Sequence, residues 1–138
     1  MKALYASALI SEEWIAAHGL TPRRLEAEPS EAAPPAGACP YAWCWMQTAL
    51  AEPGAGCLIL ATECDMMRRL AEAVAARSAL PVFLFNVPMV AASAVARPMW
   101  RAELERLGRF LIRLGGRVPV RQTLIKRIDC IDIPRSRR

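Results

Sequence analysis

Hydrophobic and polar positions along this chain keep two different periods, and the changes of period mark its elements. Cys57-Leu58-Ile59-Leu60-Ala61-Thr62 is an almost unbroken apolar run, the pattern of a parallel strand covered on both faces. In the next segment, Asp65–Arg77, Met66, Met67, Leu70, Ala73 and Val74 recur at three- and four-residue spacing, which predicts an amphipathic helix. Pro81-Val82-Phe83-Leu84-Phe85-Asn86-Val87 is a second buried strand, closed by Pro88. Strand, helix and strand with short joints predict one βαβ unit with a right-handed crossover. Over Pro98–Leu114, Trp100, Leu104, Leu107, Leu111 and Leu114 form one face of a long helix and arginines fill much of the rest. Gly115-Gly116 stops it.

The amino-terminal half is punctuated more heavily. Ser11-Glu12-Glu13-Trp14 predicts a helix start, with a capping serine and two acids at the positive end of the helix dipole. Gly19 is a natural terminator, and Thr21-Pro22 reads as a breaker just beyond it. Residues 26–37 hold Pro29, Pro34 and Pro35 and almost no large apolar side chain, which reads as a flexible loop. Cys39-Pro40 leads into a short aromatic helix, Tyr41–Leu50, with Pro40 in the first turn, where its missing N–H costs nothing. Val118–Val120 reads as a short strand or turn, Thr123–Cys130 as a last helical piece, and residues 131–138 as a basic tail. The whole predicts a single α/β domain over residues 1–138: a small Rossmann-like parallel sheet flanked by helices.

With 138 residues and 54% hydrophobic content, the chain can bury a real core. The net charge of +5 is unevenly placed: residues 1–96 carry six basic and nine acidic side chains, residues 97–138 twelve and four. Such a basic third could meet phosphate groups, an acidic partner chain or nucleic acid. A solvated helix face with a loose tail is the simpler account and the one expected here. No aromatic residue interrupts the tail arginines, which argues against binding single-stranded nucleic acid. The stretch Ala79–Ala96 is uncharged but contains Pro81, Asn86 and Pro88, so it reads as strand plus loop rather than a membrane span.

Five cysteines is an odd number, and the first ten residues do not have the look of a secretory leader. Reduced thiols in a cytoplasmic setting are expected, serving as metal ligands or as core residues. The spacings match no zinc pattern, and there is no Cys-x-x-Cys pair. In a parallel sheet, sites form beyond the carboxyl ends of the strands, and Thr62-Glu63-Cys64-Asp65 falls there. Cys64 precedes a helix, a position that suits a thiolate ligand. Cys39 sits in a similar place, after a loop and before a proline-started helix. Cys44 and Cys57 lie in apolar company and read as core, while Cys130 is ambiguous. His18, the single histidine, reads as a helix-end residue facing the dipole. Glu63 and Asp65 read as capping or salt-bridging groups, with acid–base work as the alternative, and Met66-Met67 as core filler. Neither a P-loop nor a Gly-x-Gly-x-x-Gly motif is present.

Taken in order, the segments resemble a known family. They are Ser11-Glu12-Glu13-Trp14-Ile15-Ala16-Ala17-His18-Gly19-Leu20-Thr21-Pro22, Ala38-Cys39-Pro40-Tyr41-Ala42 and Ala61-Thr62-Glu63-Cys64-Asp65-Met66-Met67-Arg68-Arg69. Pro81–Pro88 and Arg101–Leu111 complete the set. Together they resemble the B/C-type subunits of 2-hydroxyglutaryl-CoA dehydratase, its 2-hydroxyacyl-CoA relatives and benzoyl-CoA reductase. The Cys-Pro and Cys-Asp-x-x-Arg-Arg elements, followed by a strand ending Asn-x-Pro, carry the resemblance, which covers roughly residues 10–128.

The resemblance implies a lyase system of anaerobic metabolism. Subunits of this kind pair as heterodimers and hold 4Fe-4S clusters, and two of the cluster cysteines match Cys39 and Cys64. A separate ATP-dependent activator delivers one electron, which turns the acyl-CoA thioester into a ketyl radical that expels the 2-hydroxyl group to give an enoyl-CoA. The iron also serves as a Lewis acid. Family subunits are several times longer, so the fold is expected to be incomplete relative to theirs. A further cluster cysteine belongs to a carboxyl-terminal half that is expected to be missing here, and Cys130 is a weak stand-in as third ligand. Two thiolates seldom hold a cubane alone. The chain is therefore expected to need a second subunit, or the missing half, and not to be competent by itself. The alternative is a non-catalytic truncated paralogue or interaction module that meets a partner through its unpaired sheet edge. Membrane partners are not expected, and nucleic acid ranks last.

Overall fold

The computed structural model describes residues 1–120 and residue 122. Among the described residues four strands, β1 (Lys2–Tyr5), β2 (Thr21–Arg24), β3 (Ala55–Ala61) and β4 (Val82–Phe85), alternate with four helices. The helices are α1 (Glu12–Ala17), α2 (Pro40–Ala51), α3 (Asp65–Arg77) and α4 (Ala96–Arg113). All strand pairs are parallel, in the order β2-β1-β3-β4. This is the expected helix-flanked parallel sheet.

Side-chain alternation along β3 decides the layering. Cys57, Ile59 and Ala61 turn to one face, where they meet Ile15 of α1 and Leu107, Phe110 and Leu111 of α4. Leu58 and Leu60 turn to the other, against Trp45 and Met46 of α2 and Met67, Leu70 and Val74 of α3. Both faces of β3 are thus covered, which is why its sequence runs apolar without a polar alternate. Mid-helix Gly108 lets α4 lie close to α1: a Cβ there would come within 2.8 Å of His18 Nε2. Trp14 Nε1 ties the two helices by donating to the Leu104 carbonyl at 2.9 Å.

Two strands break with the sequence expectation. β1 is a four-residue stretch, too short to show a period. β2 contains the Thr21-Pro22 pair expected to act as a breaker, and it is largely exposed. It forms because Thr21 N and Leu25 N donate inward to Met1 O and Tyr5 O. Alternation then turns Pro22 outward, where a residue without an N–H is tolerated on an edge. Conversely, Val118–Val120 forms no strand, and Val118 and Val120 are 72% and 63% exposed. Pro119 between them lacks a ladder donor, and neither valine has a buried face. α4 starts two residues earlier than expected, because Pro98 falls within its first turn, whose N–H groups are unpaired in any case. The Thr123–Cys130 helix, the basic tail and Cys130 lie outside the described residues.

The outer edge of β4 is occupied by side chains. Pro81 O and Phe85 O accept bonds from β3, so Leu84 and Asn86 point away from the sheet. Asn86 N donates to Glu103 Oε2 at 2.9 Å, and Arg106 Nη2 donates both to Leu84 O and to the same carboxylate. Glu103 is 9% exposed. Burial works against its charge, but bonds from Arg106 and from the Asn86 backbone and side chain outweigh that and hold its carboxyl below the usual range. The unpaired edge expected to receive a partner is therefore already engaged at two of its outward groups.

Candidate functional site

α1 joins β1 to β2 on one face of the sheet, whereas α2 and α3 pack on the other. The crossovers therefore change face between β1 and β3, and the carboxyl ends of those strands form the rim where open parallel sheets place their sites. Two of the predicted site residues lie on this rim.

Cys64 is the N-cap of α3, three residues beyond the end of β3, and it is exposed. Its carbonyl accepts from Met67 N at 3.1 Å, and its thiol makes no capping bond. Cys39 is the N-cap of α2, which runs back from the same rim toward the start of β3; it too makes no side-chain capping bond. It is half-buried and stands on the wall of a groove of about 270 Å³ between α2 and α3. Trp43, Met46, Met66, Leu70 and Arg69 share that wall. Cys39 therefore adjoins the first turns of the helix that Cys64 caps. Two free thiols at N-caps of neighbouring helices, on one face and one rim, leave sulfur uncommitted where helix N-termini attract anionic ligands.

The loop leading to Cys39 has no regular structure, yet it is tied down at three points. Trp45 Nε1 donates to Leu25 O at 3.1 Å, Glu28 N to Thr48 Oγ1 at 3.1 Å, and Trp43 Nε1 to Ala32 O at 3.0 Å. Gly37, with φ +79°, permits the turn just before Cys39.

The other cysteines are placed differently. Cys57 is fully buried on the α1/α4 face, and burial pushes its thiol pKa up to about 11. Cys44, on α2, is half-buried. Among the described residues no three His, Cys, Asp or Glu side chains converge as a metal-binding group. Within that part of the chain no third such side chain joins Cys39 and Cys64.

The neighbouring charged groups have structural partners. Asp65 Oδ2 pairs with Arg69 Nε at 3.0 Å, both side chains well exposed. Met67 is core, and Met66 lines the groove. His18 is buried at the end of α1, its Nδ1 2.7 Å from the Trp14 carbonyl, which makes that nitrogen the donor. Nothing in the sequence pattern marks Ser7. This residue lies just past β1, is 6% exposed, and donates its hydroxyl proton to Glu63 Oε2 at 2.9 Å. The Tyr5–Glu12 hydrogen bond likewise leaves no mark in the sequence. Burial first, and then that carboxylate, raise the Tyr5 hydroxyl well above its ordinary range.

No helix among the described residues is long and apolar enough to cross a membrane. A family model described as 2-hydroxyglutaryl-CoA dehydratase, D-component, matches residues 8–133, a span that takes in α1 to α4 and Cys39, Cys64 and Cys130. No curated protein matches the chain.

Proposed function

The chain belongs to the 2-hydroxyglutaryl-CoA dehydratase D-component family, and from that premise we propose that it is one component of an iron–sulfur 2-hydroxyacyl-CoA dehydratase system. In this reading Cys39 and Cys64 are two thiolate ligands of a 4Fe-4S cluster. The observation that carries it is the placement of two uncommitted thiols at the N-caps of α2 and α3, neighbouring helices on one face of the sheet. When bound, such a cluster supplies a low-potential electron and a Lewis-acid iron to a 2-hydroxyacyl thioester.

The chain's own residues bind and shelter. Cys39 and Cys64 hold sulfur at helix N-termini, where backbone N–H groups offset negative charge. Trp43, Met46, Met66 and Leu70 give the groove next to Cys39 an apolar wall. The Arg69–Asp65 pair closes the first turn of α3 below Cys64. The remaining ligands come from a partner subunit or from residues outside those described, Cys130 among them. That division makes the chain dependent on its partner for the lyase reaction, on an ATP-dependent activator for the electron, and on a cytoplasmic setting that keeps its thiols reduced.

A second reading, a non-catalytic paralogue or interaction module of the same fold, draws on one observation: no third metal-ligating side chain joins the two cysteines among the described residues. Anaerobic reconstitution with iron and sulfide separates the two. The first reading expects a brown protein with iron and sulfide bound, lost in Cys39→Ala and in Cys64→Ala and kept in Cys44→Ala and Cys57→Ala. A colourless protein with all five thiols titratable supports the second reading, and a chromophore lost in Cys44→Ala as fully as in Cys64→Ala overturns the ligand assignment.

A further inference from the structure

The turn that carries Cys64 is exposed, and exposed turns between a strand and a helix are mobile unless something outside them holds them. Here it is held from both sides. On the β4 side, Thr62 N donates to Phe85 O at 2.9 Å, and Thr62 Oγ1 accepts from Val87 N at 2.9 Å. On the β1 side, Ser7 Oγ donates to Glu63 Oε2 at 2.9 Å and accepts from Leu9 N at 3.1 Å. Ile10 N closes the same loop onto Ser7 O at 3.2 Å. Ser7 is itself fixed by that turn and is 6% exposed, so its hydroxyl reaches Glu63 from a rigid base. The bond joins residues 56 positions apart, across the two strand ends where the crossovers change face.

We propose that Ser7 is a positioning residue, which fixes the Thr62–Asp65 turn through Glu63 and so sets where the Cys64 sulfur is presented. A chain of this kind, buried hydroxyl to carboxylate to ligand-bearing backbone, is how proteins orient a ligand that must meet others supplied from elsewhere. The arrangement needs all three strand ends. β4 holds the turn at Thr62 and β1 holds it at Glu63, leaving Cys64 as the part that faces outward. The role of Ser7 rests on the proposed ligand reading of Cys64 only for its second readout; the first, the presentation of the thiol, stands without it.

The test uses the full chain and three variants: Ser7→Ala, which removes the donor; Ser7→Thr, which keeps it; and Glu63→Ala, an exposed change that removes the acceptor without entering the core. The first measurement is the rate at which iodoacetamide labels Cys64, read by peptide mass spectrometry, with Cys57 as the internal buried reference. The second is the iron bound per chain at limiting iron after anaerobic reconstitution, with the electron paramagnetic resonance signal of the reduced protein. Ser7→Ala and Glu63→Ala should each change the Cys64 labelling rate several-fold and weaken iron retention on the order of tenfold. Both should alter the resonance line shape, while circular dichroism and the Cys57 rate stay as in the wild type. Ser7→Thr should restore all three readouts. Unchanged Cys64 labelling in Glu63→Ala overturns the positioning role whatever the iron data show. A wild type that takes up no iron, with Cys64 labelling still altered in both Ala variants, upholds the positioning role and ends the cluster reading.

Discussion

The two faces of the sheet are built to different ends. On the α1/α4 face, rings interlock: Phe83 lies 5.2 Å from Phe110 and Phe85 lies 5.0 Å from Trp100, above a fully buried Leu107 and Leu111. The α2/α3 face packs leucine and methionine around one buried tryptophan, and it leaves a groove with Cys39 on its wall. The strand that feeds both, β3, carries Cys57 into the closed face and leads seven residues later to Cys64 in the open. Alternation and a helix N-cap thus decide whether the same side chain is sealed or offered.

The sharpest way to break this contrast is a charge in the closed face. Leu107→Ala should cost about 2–5 kcal/mol, and Leu107→Asp should abolish the cooperative thermal transition by burying an unpaired carboxylate. A soluble, fully helical Leu107→Asp protein would show that α4 does not seal that face. Next in size is Glu103→Gln, which strips the β4 edge of its ion pair. We expect a loss of about 1–3 kcal/mol at neutral pH by thermal or urea unfolding. The sign with pH comes from the lowered carboxyl. Its contribution is present above the unfolded value of about 4.3 and fades as pH falls through the lower folded value. The gap between wild type and variant should therefore narrow in acid, and a gap that widens there contradicts the assignment.

Two smaller effects sharpen the comparison. At pH 8 iodoacetamide should label Cys64 in the native protein and leave Cys57 intact until denaturant is added, since burial keeps the Cys57 thiol protonated up to about pH 11. Equal native rates would erase the difference between the faces. Arg69→Ala, on the open side, removes an exposed pair at helical spacing and should shift stability by no more than about 0.5 kcal/mol. A loss of several kcal/mol would mean that the rim bears the fold.

Where burial writes a period into the residues, the fold was legible. α3 begins and ends at the residues its apolar stripe indicated, and β3 and β4 lie within or beside their apolar runs. β2 was not, because an edge strand with an outward proline has no hydrophobic face to reveal it. β1 hid in four residues, and with it went the rim between β1 and β3 and the significance of Ser7. Cys39 and Cys64 were visible through the proline and acid that come after them at helix starts. Their common face was not, since the side on which each helix lies depends on strand order, which no local pattern encodes. The Glu103–Arg106 pair reads as one more helix-surface couple until β4 is known to run beside it.

The guanidinium and carboxylate along β4 have a counterpart at the opposite margin, where Pro22 faces outward without an N–H. A four-stranded open sheet has two margins on which like chains can template one another into fibrils. Here one margin lacks an outward donor at Pro22 and the other is already in conversation. An incoming strand at β4 must first evict two charged side chains, so crowding such molecules together leaves self-stacking disfavoured while the thiol rim stays open.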